Sequence, residues 1–252
     1  DELLRAVQEA GAFLLSLWPG AGRSAADLDV ESKSDGSLVS RADFGANEIL
    51  TEAISRIFPG DALLSEEAAP DLAALAAAKR TWVIDPIDGT VNYLYDMAGW
   101  SVSIAVKDQK GTIVGVVYSP TIDSLYTAIR GGGAFLNGSK ISCNDPIELN
   151  RALIATGFAY RSELRKEQVV QFNELIMKIR DYRRNGSAAI DICHVASGQV
   201  DGYYEMGLLE WDRAAAELVA TEAGAKVSVH GELTIAAGPY LYGKLTEMLL
   251  SK

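Results

Sequence analysis

The segment that says most about the architecture reads Trp82-Val83-Ile84-Asp85-Pro86-Ile87-Asp88-Gly89-Thr90-Val91-Asn92. Its first three residues are apolar and predict a short buried strand that ends at Asp85-Pro86. Asp-Pro and Asp-Gly are also common turn dipeptides, so a strand followed by a tight turn is one interpretation of the segment. A strand followed by two carboxylates and a glycine-threonine pair favours a second interpretation, in which the segment carries a ligand site.

The chemistry of this segment suits a metal ion beside a phosphate group. The proline between the two aspartates restricts the backbone, so we expect Asp88 to return to the same side as Asp85. The carbonyl of Ile87 would point between them as a third hard oxygen ligand. Carboxylates this close repel each other unless cations neutralise them, and a set of oxygen ligands favours Mg²⁺, Mn²⁺ or Ca²⁺ over zinc. The free backbone N–H groups of Gly89 and Thr90 could then hold phosphate oxygens.

Hydrophobic spacing before and after this segment predicts both helices and strands. Apolar residues repeat at helical intervals from Leu3 to Leu17 and predict a first amphipathic helix. Ser40-Arg41-Ala42-Asp43 resembles a capping box and predicts the start of a second helix that runs toward Phe58. Residues 101–143 instead show strand patterns, with Asn137-Gly138 as a two-residue hairpin signal, and predict antiparallel strands.

From Ala152 onward, short apolar strands alternate with helical patterns as far as Leu250, which predicts α/β layers. The chain shows no internal repeat and no linker composition. We therefore expect one two-lobed domain over residues 1–252. Its N-terminal lobe, about residues 1–145, would be rich in antiparallel strands, and its C-terminal lobe, about residues 146–252, would alternate strands and helices.

Composition restricts the partners and the compartment. The 252 residues carry a formal net charge of -11 and no basic run longer than the Arg183-Arg184 pair, which argues against a nucleic-acid partner. No apolar run approaches the roughly 18 residues that span a bilayer, so we expect no membrane association. Two cysteines, Cys143 and Cys193, are too few for a disulfide framework. We interpret them as free thiols and expect a cytoplasmic protein.

Two histidines are present in the whole sequence, which makes sites built from several histidines improbable. His194 falls in an apolar helical stretch and is predicted to pack in the core, and His230 precedes a glycine in a turn. A Ser-His-Asp or Cys-His site stays open on the residue count. The composition nevertheless favours chemistry carried by carboxylates.

Three further acidic positions are candidates, although each has an ordinary structural explanation by itself. Glu66-Glu67 follow another apolar strand and could lie in a solvated loop. Asp212 could be a helix N-cap, and Asp43 could serve only as the acidic residue of its capping box. Their combination with the aspartates at positions 85 and 88 is harder to explain by structure alone.

Taken together, these segments resemble the inositol monophosphatase family, and the resemblance spans the chain from about Leu3 to Leu250. The matching segments are Lys33…Ser37…Val39-Ser40-Arg41-Ala42-Asp43, Glu66-Glu67, Asp85-Pro86-Ile87-Asp88-Gly89-Thr90 with Asn92, and Trp211-Asp212…Glu222-Ala223-Gly224. The resemblance implies a five-layer α-β-α-β-α sugar-phosphatase fold in the α/β class. It also implies Mg²⁺ dependence, lithium sensitivity and a homodimer.

The resemblance also implies a ligand set for two or three Mg²⁺ ions. Glu66, Asp85 and the Ile87 carbonyl would hold the first ion. Asp85, Asp88 and Asp212 would hold the second. Glu66 together with water would hold a weaker third ion, and would in this way take part in catalysis.

Residues for the water, the phosphate and the substrate follow from the same resemblance. Thr90 and Asp43 would orient and deprotonate the attacking water, and the N–H groups of Gly89 and Thr90 would bind phosphate. Glu205 would contact the hydroxyl groups of a polyol, and Ser187-Ala188 would border the pocket.

The predicted partner is therefore a small phosphate ester, with inositol monophosphate or a similar polyol phosphate preferred. 3′-Phosphoadenosine 5′-phosphate, fructose 1,6-bisphosphate and histidinol phosphate are alternatives within the same superfamily. A non-catalytic metal-binding scaffold is an alternative from a different class, and a structural or interaction protein is a third.

Overall fold

The structure is a computed structural model that describes residues 2–18, 28–34 and 36–250. The helices are α1 (Glu2–Leu17), α2 (Arg41–Ile57), α3 (Leu72–Ala77), α4 (Thr90–Leu94), α5 (Ser162–Ile176), α6 (Ala188–Ala196), α7 (Glu210–Glu222) and α8 (Pro239–Leu250). The strands are β1 (Glu31–Ser32), β2 (Leu38–Val39), β3 (Ala62–Ser65), β4 (Thr81–Asp88), β5 (Ser101–Asp108), β6 (Gly111–Ser119), β7 (Ser124–Ile129), β8 (Gly133–Leu136), β9 (Ser139–Lys140), β10 (Leu153–Thr156), β11 (Asp181–Arg183), β12 (Gly202–Met206), β13 (Lys226–His230) and β14 (Leu233–Ala237).

The larger sheet has seven strands in the order β3-β4-β5-β6-β7-β8-β9. Its strands follow the order of the sequence, with β3 parallel to β4 and each later pair antiparallel. The antiparallel strands predicted over residues 101–143 are thus confirmed. Asn137-Gly138 connects β8 to β9 as the predicted hairpin turn.

The smaller sheet has five strands in the order β11-β10-β12-β14-β13. Strand β10 is parallel to both of its neighbours, with α5 between β10 and β11 and α6 between β11 and β12. The last two strands, β13 and β14, form an antiparallel hairpin that extends the sheet from β12. The alternation of strands and helices predicted after Ala152 is confirmed.

Strand β5 shows how the two faces of the larger sheet receive different helices. Val102, Ile104 and Val106 belong to a core cluster with residues of α1 and α2. Ala105 belongs to a second cluster with residues of α6 and α7, and the Ser103 hydroxyl donates to the backbone carbonyl of Trp211 at 3.4 Å. Alternate side chains of a strand point to opposite faces, so the sequence of β5 dictates helices on both sides of it.

The complete arrangement has five layers. Helices α1 and α2 cover one face of the seven-stranded sheet, and α6 and α7 lie between the two sheets. Helices α5 and α8 cover the outer face of the five-stranded sheet. Alanines on α7, such as Ala215 and Ala216, are fully buried and let both sheets approach this helix closely. The predicted α-β-α-β-α fold is confirmed.

Two boundaries near the candidate site were predicted wrongly. Strand β4 does not end at Asp85-Pro86 but continues to Asp88. Its register with β5 shifts between Asp85 and Asp88, and such a bulge accommodates a proline that has no N–H to donate. Helix α7 begins at Glu210, so Asp212 is its third residue and not its N-cap.

Candidate active site

The candidate carboxylates gather because several strand and helix ends meet at one edge of the larger sheet. Strands β3 and β4 are parallel, with Ser65 opposite Ile84. Glu66, which follows Ser65, and Asp85, which follows Ile84 within β4, therefore lie at the same edge of the sheet. The first turn of α7 brings Asp212 to this edge from the layer between the sheets.

Three of these carboxylates could share a cation. The carboxylate oxygens of Glu66, Asp85 and Asp212 all lie within 4.8 Å of one another. Asp85 is 1% exposed, and its Oδ1 accepts a 3.0 Å hydrogen bond from the backbone N–H of Ile87. Burial and the neighbouring negative charges raise the pKa of Asp85 well above its usual value. Ionising several buried carboxylates side by side is unfavourable because their negative charges repel one another. A hard divalent cation such as Mg²⁺ binds carboxylate oxygens and neutralises these charges.

The fourth predicted carboxylate ligand, Asp88, is not part of this 4.8 Å group. Its carboxylate accepts hydrogen bonds from the Ser187 hydroxyl and from the backbone N–H groups of Ala188 and Ala189, at 3.3 Å and 2.7 Å for the two amides. Burial raises the pKa of Asp88 to about 6, and these hydrogen bonds oppose the rise. The structure thus brings together three of the four predicted carboxylates and turns Asp88 toward α6.

The residues predicted to act on water lie beside the cluster. The Thr90 hydroxyl donates to the Ile87 carbonyl at 3.0 Å and lies 3.4 Å from Asp43 Oδ1. The other oxygen of Asp43 accepts from the backbone N–H and the hydroxyl of Ser40, at 2.8 Å and 2.7 Å. Ser40 is the N-cap of α2, and the predicted capping box is confirmed. Burial raises the pKa of Asp43 to about 7.

The backbone turns sharply at Gly89, just before Thr90. Gly89 precedes α4 with φ of 93°, a left-handed conformation that residues with a side chain rarely adopt. A Cβ at this position would lie 3.2 Å from the Gly186 carbonyl oxygen and 3.3 Å from the Ser187 side chain. Glycine is therefore needed both for the turn and for the close approach of the segment before α6.

A cleft of about 680 Å³ opens from the acidic cluster toward the smaller sheet. The predicted substrate residues Glu205, Ser187 and Ala188 all line it. Glu205 Oε2 accepts a 2.6 Å hydrogen bond from the Tyr203 hydroxyl, and burial raises the pKa of Glu205 to about 7. A Cβ on Gly157 would lie 1.9 Å from Glu205 Oε2, so the absence of a side chain there makes room for the carboxylate.

The match to a family covers almost the whole chain. The sequence profile of the inositol monophosphatase family matches residues 2–251. The chain belongs to the inositol monophosphatase family.

Individual proteins similar to this chain are consistent with the assignment. The Nus factor SuhB of Pasteurella multocida is 39% identical over 204 residues, which cover 80% of this chain and 75% of that protein. The inositol-1-monophosphatase of Mycobacterium bovis is 34% identical, with 96% of this chain and 89% of the relative covered. Among solved structures, the extragenic suppressor protein SuhB of Bartonella henselae superposes with a TM-score of 0.91 at 29% identity and covers 99% of this chain and 97% of its own.

Sequence reasoning gave no role to Lys33, which the structure places inside this family site. From the turn between β1 and β2, its Nζ lies 2.7 Å from Glu66 Oε1 and 2.7 Å from Glu67 Oε1. Although burial acts in the opposite direction, the hydrogen bonds to the two glutamates raise the pKa of Lys33. The residues around Lys33 in the sequence do not indicate a contact with Glu66, which lies 33 positions further along the chain. The one signal in the sequence was that Lys33 belongs to a segment that resembles the family.

Sequence reasoning also missed Arg184, Asp191 and Tyr160, which line the same cleft.

Neither histidine lines the cleft: His194 lies in α6 and His230 in β13. Both cysteines are free thiols, as predicted. Among the described residues, no helix has the length and apolar character needed to cross a bilayer.

Proposed function

We propose that this chain is a Mg²⁺-dependent phosphatase that hydrolyses a phosphate monoester of a cyclic polyol, with inositol monophosphate as the reference substrate. One observation carries the proposal: the three clustered carboxylates of Glu66, Asp85 and Asp212 lie beside the Thr90–Asp43 pair. Membership of the family supports a phosphatase, and the cleft beyond the cluster offers a place for the rest of an ester.

The donor set fits the metal. Glu66, Asp85 and Asp212 offer oxygen atoms alone, and the Ile87 carbonyl lies at the same turn, where the Thr90 hydroxyl contacts it. These four groups would hold Mg²⁺, with the Asp88 carboxylate as the remaining ligand that the resemblance to the family implies. When bound, Mg²⁺ would neutralise the phosphate dianion, acidify a coordinated water and stabilise the leaving alkoxide.

The residues around the cluster supply orientation and a proton acceptor. The Thr90 hydroxyl and Asp43 Oδ1 are 3.4 Å apart, so one water can contact both groups. Asp43 would take the proton of that water, and the two hydrogen bonds from Ser40 hold its carboxylate in place. The N–H groups of Gly89 and Thr90 would bind phosphate oxygens, and Glu205 would accept hydrogen bonds from ring hydroxyls. Positioning and electrostatics can supply most of the acceleration of phosphoryl transfer.

The proposal extends to the other properties implied by the family. We propose inhibition by lithium, a homodimer of this two-lobed chain and a cytoplasmic location. Phosphate release at increasing LiCl and light scattering of the purified protein test the first two. At equal affinity, a 100-fold excess of lithium over magnesium would favour lithium binding by about 2.7 kcal/mol, so an unchanged rate under that excess would contradict lithium inhibition. A monomeric protein in light scattering would contradict the homodimer.

A second candidate function is favoured by one specific observation. The Pasteurella multocida relative, 39% identical to this chain, is named a Nus factor. The alternative function is therefore that of a Nus factor. In that case the protein would keep the fold and the metal-binding residues but would not hydrolyse a phosphate ester.

Phosphate release from a panel of esters tests the proposal. The panel consists of inositol 1-phosphate, 3′-phosphoadenosine 5′-phosphate, fructose 1,6-bisphosphate and histidinol phosphate, each with Mg²⁺ and then with EDTA. We expect Mg²⁺-dependent release, fastest from inositol 1-phosphate. Faster release from another ester would keep the metal site and reject the polyol assignment of Glu205. No release from any ester would favour the non-catalytic alternative.

A further inference from the structure

Asn92 ends the segment that carries the candidate aspartates, yet the proposed reaction gives it no role. Its side chain lies in α4, two residues after Thr90, and is 3% exposed. Its amide nitrogen, Nδ2, donates to the Asn185 carbonyl at 2.7 Å and to the Gly99 carbonyl at 2.9 Å. Both hydrogens of this amide are therefore used, and one of them holds a segment 93 residues further along the chain.

The segment that Asn92 holds also carries the hydrogen-bond partners of Asp88. Ser187 is the N-cap of α6, and its hydroxyl donates to Asp88 Oδ2. The backbone N–H of Ala189 donates to the same oxygen at 2.7 Å. A carboxylate accepts hydrogen bonds and a side-chain amide can donate them. The chain from Asp88 to Asn92 thus contacts the start of α6 twice with opposite polarity, which fixes both the position and the direction of that backbone.

Two glycines let α4 and the start of α6 approach this closely. A Cβ on Gly186 would lie 2.7 Å from Asn92 Oδ1, and a Cβ on Gly89 would lie 3.2 Å from the Gly186 carbonyl oxygen. Gly186 also has a φ of 101°, a left-handed conformation that residues with a side chain rarely adopt. Because the two segments are in direct contact, a displacement of one is passed to the other.

We propose that Asn92 is a positioning residue, whose amide holds the start of α6 against β4 so that Asp88 keeps the orientation in which it would serve as a Mg²⁺ ligand. This inference rests on the proposed function, because it takes Asp88 as a ligand of the metal. Asn92 does not line the cleft, so it acts through Asp88 and not by contacting the substrate. Residues that hold a metal ligand in place typically contribute about 10- to 100-fold to metal affinity.

The test measures Mg²⁺ binding directly, by calorimetric titration of the full chain with MgCl₂. N92A removes both donors and should raise the Mg²⁺ concentration for half-saturation by about 10-fold, the lower end of the range, because the effect passes through the backbone of α6. In the D88N background the same substitution should change this concentration by less than about twofold, since two residues that act through one ligand are not additive.

Asn144 offers a matched control at the other end of α6. Its amide donates to the Gly198 carbonyl and to Asp201 Oδ1, each at 2.9 Å. N144A should therefore lower the thermal unfolding temperature, as N92A does, but leave Mg²⁺ binding unchanged. G186A and G198A form a second pair for the same comparison if N92A does not fold. Each new Cβ would lie within 2.7 Å of the side-chain oxygen of the neighbouring asparagine and would displace it.

Three results would overturn the inference. Equal Mg²⁺ binding in N92A and in the unaltered protein would show that Asn92 positions no metal ligand, while the phosphatase function stands. A weakening of the same size in N144A, or one that persists in full in the D88N background, would show that the loss does not pass through Asp88. If the unaltered protein bound no Mg²⁺, the proposed function would fail and this inference with it.

Discussion

The carboxylate of Asp88 accepts a 2.7 Å hydrogen bond from the backbone N–H of Ala189, which lies 101 residues further along the chain. This contact joins the end of β4 to the first turn of α6 and so connects the larger sheet to the layer between the sheets. The N-terminus of a helix carries a partial positive charge that stabilises an ionised carboxylate. Asp88 is thereby kept next to the cluster of acidic residues although burial disfavours its charge.

Replacing Asp88 by Asn should abolish most of the activity without unfolding the protein. The amide keeps an oxygen for the Ala189 N–H, so we expect the free energy of unfolding to change by no more than about 1 kcal/mol. The lost negative charge should lower kcat by roughly 10²- to 10³-fold, as is typical when one electrostatic group of a site is removed. Phosphate release at saturating Mg²⁺, together with thermal unfolding, measures both effects. Turnover at the rate of the unaltered protein would exclude Asp88 from the metal site.

Replacing Lys33 by Met should strengthen Mg²⁺ binding. Its ammonium group contacts Glu66 and Glu67 and would compete with a cation at the first of these. An ion pair of this partly exposed kind contributes up to about 1 kcal/mol, so the Mg²⁺ concentration for half-saturation should fall by roughly fivefold. Calorimetric titration with MgCl₂ measures the change.

A lysine outside the site serves as the control for this titration. Lys79 is exposed and does not line the cleft, so K79M should titrate like the unaltered protein. A higher half-saturating concentration in K33M would show that Lys33 supports metal binding and does not oppose it.

Replacing Gly157 by Ala should damage substrate selection more than folding. The new Cβ would lie 1.9 Å from Glu205 Oε2, which is impossible without moving the carboxylate. We expect KM for inositol 1-phosphate to rise about tenfold, equivalent to roughly 1.4 kcal/mol of lost binding, with a smaller effect on phenyl phosphate. At Gly60 a Cβ would have no neighbour within 4 Å, so G60A is the matched control. Equal effects on both esters would argue that Glu205 does not contact the polyol.

The metal-free protein should lose stability as pH rises from about 4 to about 7. Burial raises the pKa of Asp43 from 3.8 to about 7 and that of Glu205 from 4.5 to about 7. Their folded-state pKa values exceed the unfolded ones, so between these values the native state binds more protons than the unfolded state. The free energy of unfolding then falls with rising pH.

Thermal unfolding in EDTA across this pH range measures the loss, which we expect to reach roughly 2–4 kcal/mol for each such group. Added Mg²⁺ should reduce the decline, because cations stabilise the ionised carboxylates. His194, whose pKa is lowered by burial, acts in the opposite direction but is one group against several. Stability that is constant or rises with pH in EDTA would contradict the buried-carboxylate description.

The predictions made from sequence succeeded where a short stretch of chain decides the outcome. The strand patterns over residues 101–143 indicated antiparallel strands, and the Ser40–Asp43 box indicated where α2 begins. Residue spacing sets these features because strand and helix periods differ. The boundary at Asp85-Pro86 was wrong because a proline usually ends a strand, whereas here a bulge against β5 lets β4 continue to Asp88.

The sequence by itself therefore determined the alternation of strands and helices, the capping box at Ser40 and the aspartates that β4 presents, while the five-layer order followed from the resemblance to the family. Only the tertiary structure decided which distant side chains meet: Glu66 beside Asp85 through the parallel register of β3 and β4, Asp88 against α6, and Arg184 in the cleft wall. The physical reason is the distance along the sequence between the residues that interact. Backbone period and capping depend on residues a few positions apart, but contacts across about 100 positions depend on how both sheets pack against α6 and α7.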